Sequence, residues 1–253
     1  MLDDDTFATE LDAALHAGEV FAVYQPLVEV ASGRIAGVEG LCRWTDSRGR
    51  AVPPEMFIPI AENTGLIHEL GRFMLDECLA SAAAWRAAGN AIDVSINVSP
   101  TQLAEASFCV DVVERLVARA LPADAVTLEI TESLPLQDLS LIVARMEELR
   151  SRGLGVSLDD FGTGHASAEQ LERLPVTELK LDRSLMQGER ARTIELLGDV
   201  VARARQRGLR VVAEGIETVE QLQLAQELGC ERAQGYLLGA PMPKADVDAL
   251  LAA

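Results

Sequence analysis

The chain has 253 residues, 49% of them hydrophobic, which supports one large core of the size of a single α/β barrel domain over residues 1–253. Its 22 Lys and Arg against 40 Asp and Glu give a net charge of −18, so neither a nucleic acid polymer nor direct contact with an anionic membrane is expected. The 4 cysteines (Cys42, Cys78, Cys109, Cys230) lack C-x-x-C spacing and nearby histidines, which argues against a zinc knuckle or disulfide framework and for reduced, cytoplasmic thiols.

The acidic, amphipathic start, residues 1–19, reads as a leading helix segment (helix over about 5–17), neither a secretion signal nor a membrane span. Strand-like runs over 21–30 and 35–44 follow, separated by four residues. Four residues cannot hold a crossover helix, so the pair must be an antiparallel hairpin. Helical periodicity then covers 57–88, stopped by Gly89 and Asn90, before a strand over 92–99. A helix over 107–120 precedes a strand over 126–131, and a helix over 138–152 ends at Gly153 before a strand over 154–159. A loop and helix over 162–174 lead to a strand over 176–181. A helix over 192–207 stops at Gly208 before a strand over 209–214, and one over 218–228 stops at Gly229 before a last strand near 233–237. Residues 244–252 read as a closing helix.

Eight strands in this rhythm predict an α/β fold, a TIM-type (βα)8 barrel with the first strand antiparallel to the rest. A doubly wound open sheet would bring a G-x-G-x-x-G loop after an early strand, and none is present. The strands end, or nearly end, on Glu39, Asn97, Glu129, Asp159 with Asp160, Lys180, Glu214 and Gln234. Period-2 alternation sends Val126, Leu128 and Ile130 under the helices and turns Thr127, Glu129 and Thr131 to the axis. The same logic turns Ser95, Asn97 and Ser99 inward and puts Glu39, Leu41 and Arg43 on one face. Because strand one runs backwards, Gln25 falls near the same mouth.

Each residue alone has a plain explanation. A single acid at a strand end is more often a cap than a ligand, Asp159-Asp160-Phe161-Gly162 is a common turn composition, and Lys180 alone could be a surface charge. Jointly those explanations weaken, because burying so many polar groups at one rim is costly unless they satisfy one another or a cation. The donors are all hard oxygen, which suits Mg2+ or Mn2+ better than zinc, and a paired, aspartate-bridged site would clamp both oxygens of a phosphodiester displacement.

Tyr24-Gln25-Pro26-Leu27-Val28, Glu39-Gly40-Leu41-Cys42-Arg43-Trp44, Phe57-Ile58-Pro59-Ile60-Ala61-Glu62, Asn97-Val98-Ser99, Glu129-Ile130-Thr131-Glu132, Asp159-Asp160-Phe161-Gly162, Lys180-Leu181-Asp182, Glu214-Gly215-Ile216-Glu217 and Gln234-Gly235-Tyr236-Leu237 together resemble the EAL-domain family of cyclic-di-GMP phosphodiesterases, in order and over essentially the whole chain. The resemblance implies metal-dependent opening of cyclic-di-GMP to linear pGpG. It further implies Glu39, Asn97, Glu129, Asp159 and Asp160 as ligands of a two-metal Mg2+ or Mn2+ site, with Ca2+ inhibitory. Lys180, Glu214, Asp160 and Gln234 would be catalytic, while Gln25, Leu41, Arg43, Asp160 and Glu217 would hold the substrate. Glu132 would anchor the loop carrying Asp160 to Ser167, and a homodimer, with adjoining sensor or cyclase domains, would be the usual setting. Gly40 stands where the family carries alanine, with a modest backbone effect expected, and His165-Ala166 departs from the family's loop.

Two rival functions remain open at this point. A barrel glycoside hydrolase would use Glu129 and Glu214 as its acid pair, although aromatics for sugar platforms are only 4% of the chain. A non-catalytic cyclic-di-GMP receptor would have lost ligands, and none is missing here.

Overall fold

The computed structural model describes residues 4–131, 139–162, 171, 173–188 and 190–252. After α1 (Asp4–Ala17), β1 (Val20–Glu29) and β2 (Ile35–Thr45) form the expected antiparallel hairpin, with Gln25 opposite Glu39. β3 (Ala51–Val52) pairs back on β2 outside the ring. Then come α2 (Pro54–Thr64), α3 (Ile67–Ala87), β4 (Asp93–Asn97), α4 (Pro100–Leu103), α5 (Phe108–Ala118), β5 (Val126–Thr131), α6 (Leu139–Ser151) and β6 (Gly155–Phe161). The remainder is β7 (Glu178–Leu181), α7 (Arg183–Met186), α8 (Arg190–Gln206), β8 (Arg210–Ala213), α9 (Val219–Leu228), β9 (Arg232–Ala233) and α10 (Lys244–Leu251).

The strands run in the order β1-β9-β8-β7-β6-β5-β4-β2, and the β1–β2 pairing closes the ring. β1 is antiparallel to both β2 and β9 while the other ring neighbours are parallel, so the barrel is of the TIM type with its first strand reversed. Outward residues such as Ile96, Leu128, Ile130, Leu158 and Leu179 are fully buried beneath the helices. A smaller core of Leu11, Trp44, Phe57 and Leu70 seats α1 against α2 and α3. Among the described residues, no helix is long and apolar enough to cross a membrane.

Several boundaries differ from the sequence reading. The single helix over 57–88 is two helices, because Gly65 takes the left-handed conformation (φ 83°) that ends α2. The last strand is only Arg232–Ala233, and the short elements β3, α4 and α7 carry too few residues to show a period. Most of the helix placed over 162–174 lies outside the described residues.

Gly40 also departs from expectation. A Cβ on this residue would lie 2.3 Å from Cys78 Sγ on α3, so the glycine is matched by a sulfur occupying the alanine's space. The constraint is packing rather than backbone freedom. Gly40→Ala should therefore cost about 1–3 kcal/mol of stability. Combining it with Cys78→Ala should recover most of the loss, which thermal melts of the single and double variants would check.

Candidate active site

The C-terminal ends of the parallel strands, together with the middle of β1 and β2, converge on one buried ammonium. Lys180 Nζ on β7 lies 2.7 Å from Glu214 Oε1, 2.8 Å from Glu129 Oε2, 3.1 Å from Asp159 Oδ1 and 3.4 Å from Glu39 Oε2. Its side chain is only 1% exposed. Asn97 Nδ2 donates to Glu39 Oε1 at 2.7 Å, and Gln234 Nε2 donates to Glu39 Oε2 at 2.8 Å and to Gln25 Oε1 at 2.9 Å. The Gln25 amide in turn donates to the Gly239 carbonyl at 3.1 Å.

Adjacent residues of a strand face opposite ways, so Asp159 and Asp160 cannot both look inward from a regular β6. The β6–β7 register supplies the reason. Leu158 pairs with Leu179 but Phe161 pairs with Leu181, so β6 carries one extra residue, a bulge. Asp160 takes a left-handed backbone (φ 57°), a strained choice for a residue with a side chain. The result is that carboxylate oxygens of Asp159, Asp160 and Glu214 all lie within 4.8 Å of one another.

Burial and charge push these acids apart in proton affinity. Burial alone would raise Glu39, but Lys180 and the amides of Gln234 and Asn97 hold it below the usual carboxylate range. Glu129 is raised well above that range by burial and by the charge of Glu39. Burial also pushes Glu214 up to about 8 and Asp160 up to about 6, the latter with the neighbouring Asp159 charge. Burial would strip Lys180 of its proton, but Asp159, Glu129, Glu214 and Glu39 together hold it charged.

Buried oxygens Glu129 Oε1, Asp159 Oδ1 and Gln234 Oε1 have no hydrogen-bond donor. Asp159 Oδ1 meets Lys180 as a charge contact off the hydrogen-bonding line. Acceptor-only oxygens gathered at one buried rim fit a hard divalent cation. Binding such a cation must displace protons from the raised acids. Affinity for Mg2+ should therefore climb as pH rises from 6 to 8, by about tenfold per unit for each proton released, and flatten above the Glu214 titration. Calorimetry at pH 6 and 8 would check this.

Two cavities open on either side of Glu39. One, about 330 Å³, is lined by Leu41, Arg43, Ile58, Glu62, Asn97 and Ser99. The other, about 290 Å³, is lined by Gln25, Asp160, Arg183, Glu214, Glu217, Gln234 and Tyr236. Every site residue singled out in the sequence thus falls on this rim or in its two cavities, except Glu132, which lies outside the described residues together with 163–170. Arg43 Nη1 is turned to its neighbour's carbonyl, Cys42 O, at 2.8 Å. Reading by strand parity missed Arg183, which follows Lys180-Leu181-Asp182 and is brought to the mouth by α7, whose N-cap is Asp182.

Among the described residues, the mouth of this reversed-strand α/β barrel gathers carboxylate and amide oxygens around one buried lysine, the donor chemistry that hard divalent cations take. Residues 8–241 match the EAL domain, and the chain belongs to that family. It is 37% identical over 238 residues to the bifunctional diguanylate cyclase/cyclic di-GMP phosphodiesterase MucR of Pseudomonas aeruginosa, covering 92% of this chain and 35% of that protein. It is likewise 37% identical to the cyclic di-GMP phosphodiesterase PA2567 of the same organism, over 94% of this chain and 41% of that protein. The chain therefore spans well under half the length of these relatives. Among solved structures, the PaMucR phosphodiesterase in complex with c-di-GMP superposes with a TM-score of 0.88 at 35% identity, covering 96% of this chain and 99% of that one. The EAL enzyme Bd1971 bound to cAMP gives a TM-score of 0.91 at 26% identity, over 98% of this chain and 70% of that one.

Proposed function

We propose that this chain hydrolyses one phosphodiester bond of cyclic-di-GMP to give linear pGpG, lowering a bacterial second messenger in the cytoplasm. The observation that carries the reading is the buried rim of donor-less carboxyl and amide oxygens around Lys180. Glu39, Asn97, Glu129, Asp159 and Asp160 would hold two Mg2+ or Mn2+ ions, which supply charge stabilisation at the phosphate and lower the pKa of a water at neutral pH.

The chain's own groups do the rest. Glu214, whose Oε1 faces Lys180 Nζ at 2.7 Å, accepts a proton from the attacking water, and its raised proton affinity, about 8, suits a base working near neutral pH. Lys180 fixes that carboxylate and keeps the clustered negative charge bearable. Gln234 orients Glu39 and Gln25 through its amide. Gln25, Leu41, Arg43, Asp160 and Glu217 hold the dinucleotide across the two cavities, Arg43 by charge-assisted bonds to a phosphate once it leaves the Cys42 carbonyl. Arg43→Ala should thus raise KM by roughly tenfold or more with little change in kcat, measured by steady-state kinetics.

A homodimer, adjoining sensor or cyclase domains, and Glu132 as anchor of the loop after Asp160 belong to the same reading. The glycoside hydrolase alternative requires two carboxyls flanking a scissile bond. Here Glu129 and Glu214 both contact the same ammonium, at 2.8 and 2.7 Å, which leaves no sugar site between them. Incubating the purified chain with cyclic-di-GMP and Mg2+ or Mn2+, then separating nucleotides by chromatography, should yield pGpG. Unchanged nucleotide that nonetheless binds would leave the receptor function instead.

A further inference from the structure

The axis of this barrel is polar below the metal-binding rim as well as within it. TIM-type interiors are ordinarily filled by branched apolar side chains. Here Ser95, Thr127, Ser157 and Glu178 are all buried. Ser157 on β6 pairs in register with Glu178 on β7, so the two Cα atoms stand about 4.8 Å apart with both side chains on the inner face. Ser157 Oγ and Glu178 Oε1 are both buried and both lack a hydrogen-bond partner. Glu178 is otherwise firmly held, its Oε2 accepting from Arg210 Nε at 2.5 Å. Arg210 Nη1 lies 3.7 Å from Asp93 Oδ2, which Arg232 Nη2 holds at 2.6 Å. These ion pairs form the floor of the barrel at the end opposite the mouth.

Two adjacent, buried, unsatisfied oxygens are costly, and native proteins satisfy such atoms with internal water where the space is polar and roomy. Serine is smaller than the branched apolar side chains that ordinarily fill such inward positions. We infer that Ser157 Oγ and Glu178 Oε1 share one ordered water on the barrel axis, and that Glu178 is thereby a positioning residue for the site above it. Ser157 and Glu178 each stand two residues before a rim residue, Asp159 and Lys180, on the same strand and the same inner face. Tying them together fixes the stagger of β6 against β7 just before the bulge that brings Asp160 to the mouth beside Asp159. The kinetic consequence and the effect on cation binding rest on the proposed function. The water does not.

A crystal structure of the full chain at a resolution that shows ordered water, with Ser157→Val, Glu178→Leu and Glu178→Gln made alongside, tests this. We expect one water within hydrogen-bonding distance of both oxygens. Ser157→Val should displace it, lower Tm by roughly 3–8 °C and weaken Mg2+ binding by about tenfold. Glu178→Leu should reduce kcat for cyclic-di-GMP by roughly tenfold at unchanged KM, and Glu178→Gln, whose oxygen keeps the Arg210 hydrogen bond while its amide N–H donates to the water, should recover most of that. Direct side-chain contact without water, or Ser157→Val with wild-type Tm and Mg2+ affinity, would overturn the inference. A chain that holds the water and shows these binding shifts but never cleaves cyclic-di-GMP would overturn the phosphodiesterase reading alone.

Discussion

Lys180→Ala should melt earlier and turn over at most about one hundredth as fast as the parent chain. The ammonium is the cation shared by Glu39, Glu129, Asp159 and Glu214, and it is buried with them. Deleting one partner of a buried charge cluster costs about 3–5 kcal/mol, because the remaining charges are left uncompensated. At roughly 2–4 °C per kcal/mol for a chain of this size, Tm should fall by about 10 °C. The loss should shrink at low pH, where the acids with raised proton affinity are neutral, and Mg2+ should restore part of it by substituting for the missing positive charge. Nucleotide affinity should change little, since Lys180 lies beneath the rim rather than in either cavity. Calorimetry showing lost affinity with normal turnover at saturation would reverse the assignment.

Chelation should have an equally large effect. With EDTA, hydrolysis should vanish, and Mg2+ or Mn2+ should bring it back, because the donors are carboxylates and amides aimed at one buried rim. Ca2+ should bind and inhibit, its larger radius and irregular coordination misplacing the water against Glu214. Metal binding should also raise Tm, more at pH 8 than at pH 6. The sign follows from the raised proton affinity of Glu214 and Asp160 in the folded chain. That stability is present below the unfolded carboxylate range and lost as pH passes through about 6 and then about 8, so the cation has more to restore at the higher pH. Undiminished turnover in chelator would sink the metal mechanism.

Strand parity made much of this site legible in advance. Alternation alone turned Asn97 and Glu129 inward, and the four-residue link between the first two strands dictated the reversed strand that carries Gln25. Three things had no local signal. Asp160 reaches the mouth only through a bulge and a left-handed backbone, which period-2 counting cannot represent. The fit between Gly40 and Cys78 links positions far apart in sequence through packing of β2 on α3. The convergence of four acids on one lysine depends on barrel closure, which sets separations of 141 residues, from Lys180 to Glu39, at 3.4 Å. Helix boundaries failed for a simpler reason: the amphipathic period continues across Gly65, and only its left-handed conformation separates α2 from α3.

The central claim is that water, activated at this rim, attacks a phosphorus of cyclic-di-GMP and expels the 3′ oxygen. Running the reaction to completion in 18O-labelled water with Mn2+, then weighing the products by mass spectrometry, tests it directly. The account predicts linear pGpG carrying one 18O in its 5′-phosphate, and none when Glu39 is replaced by alanine. Intact cyclic-di-GMP under these conditions, or pGpG whose phosphate contains no label, would contradict it.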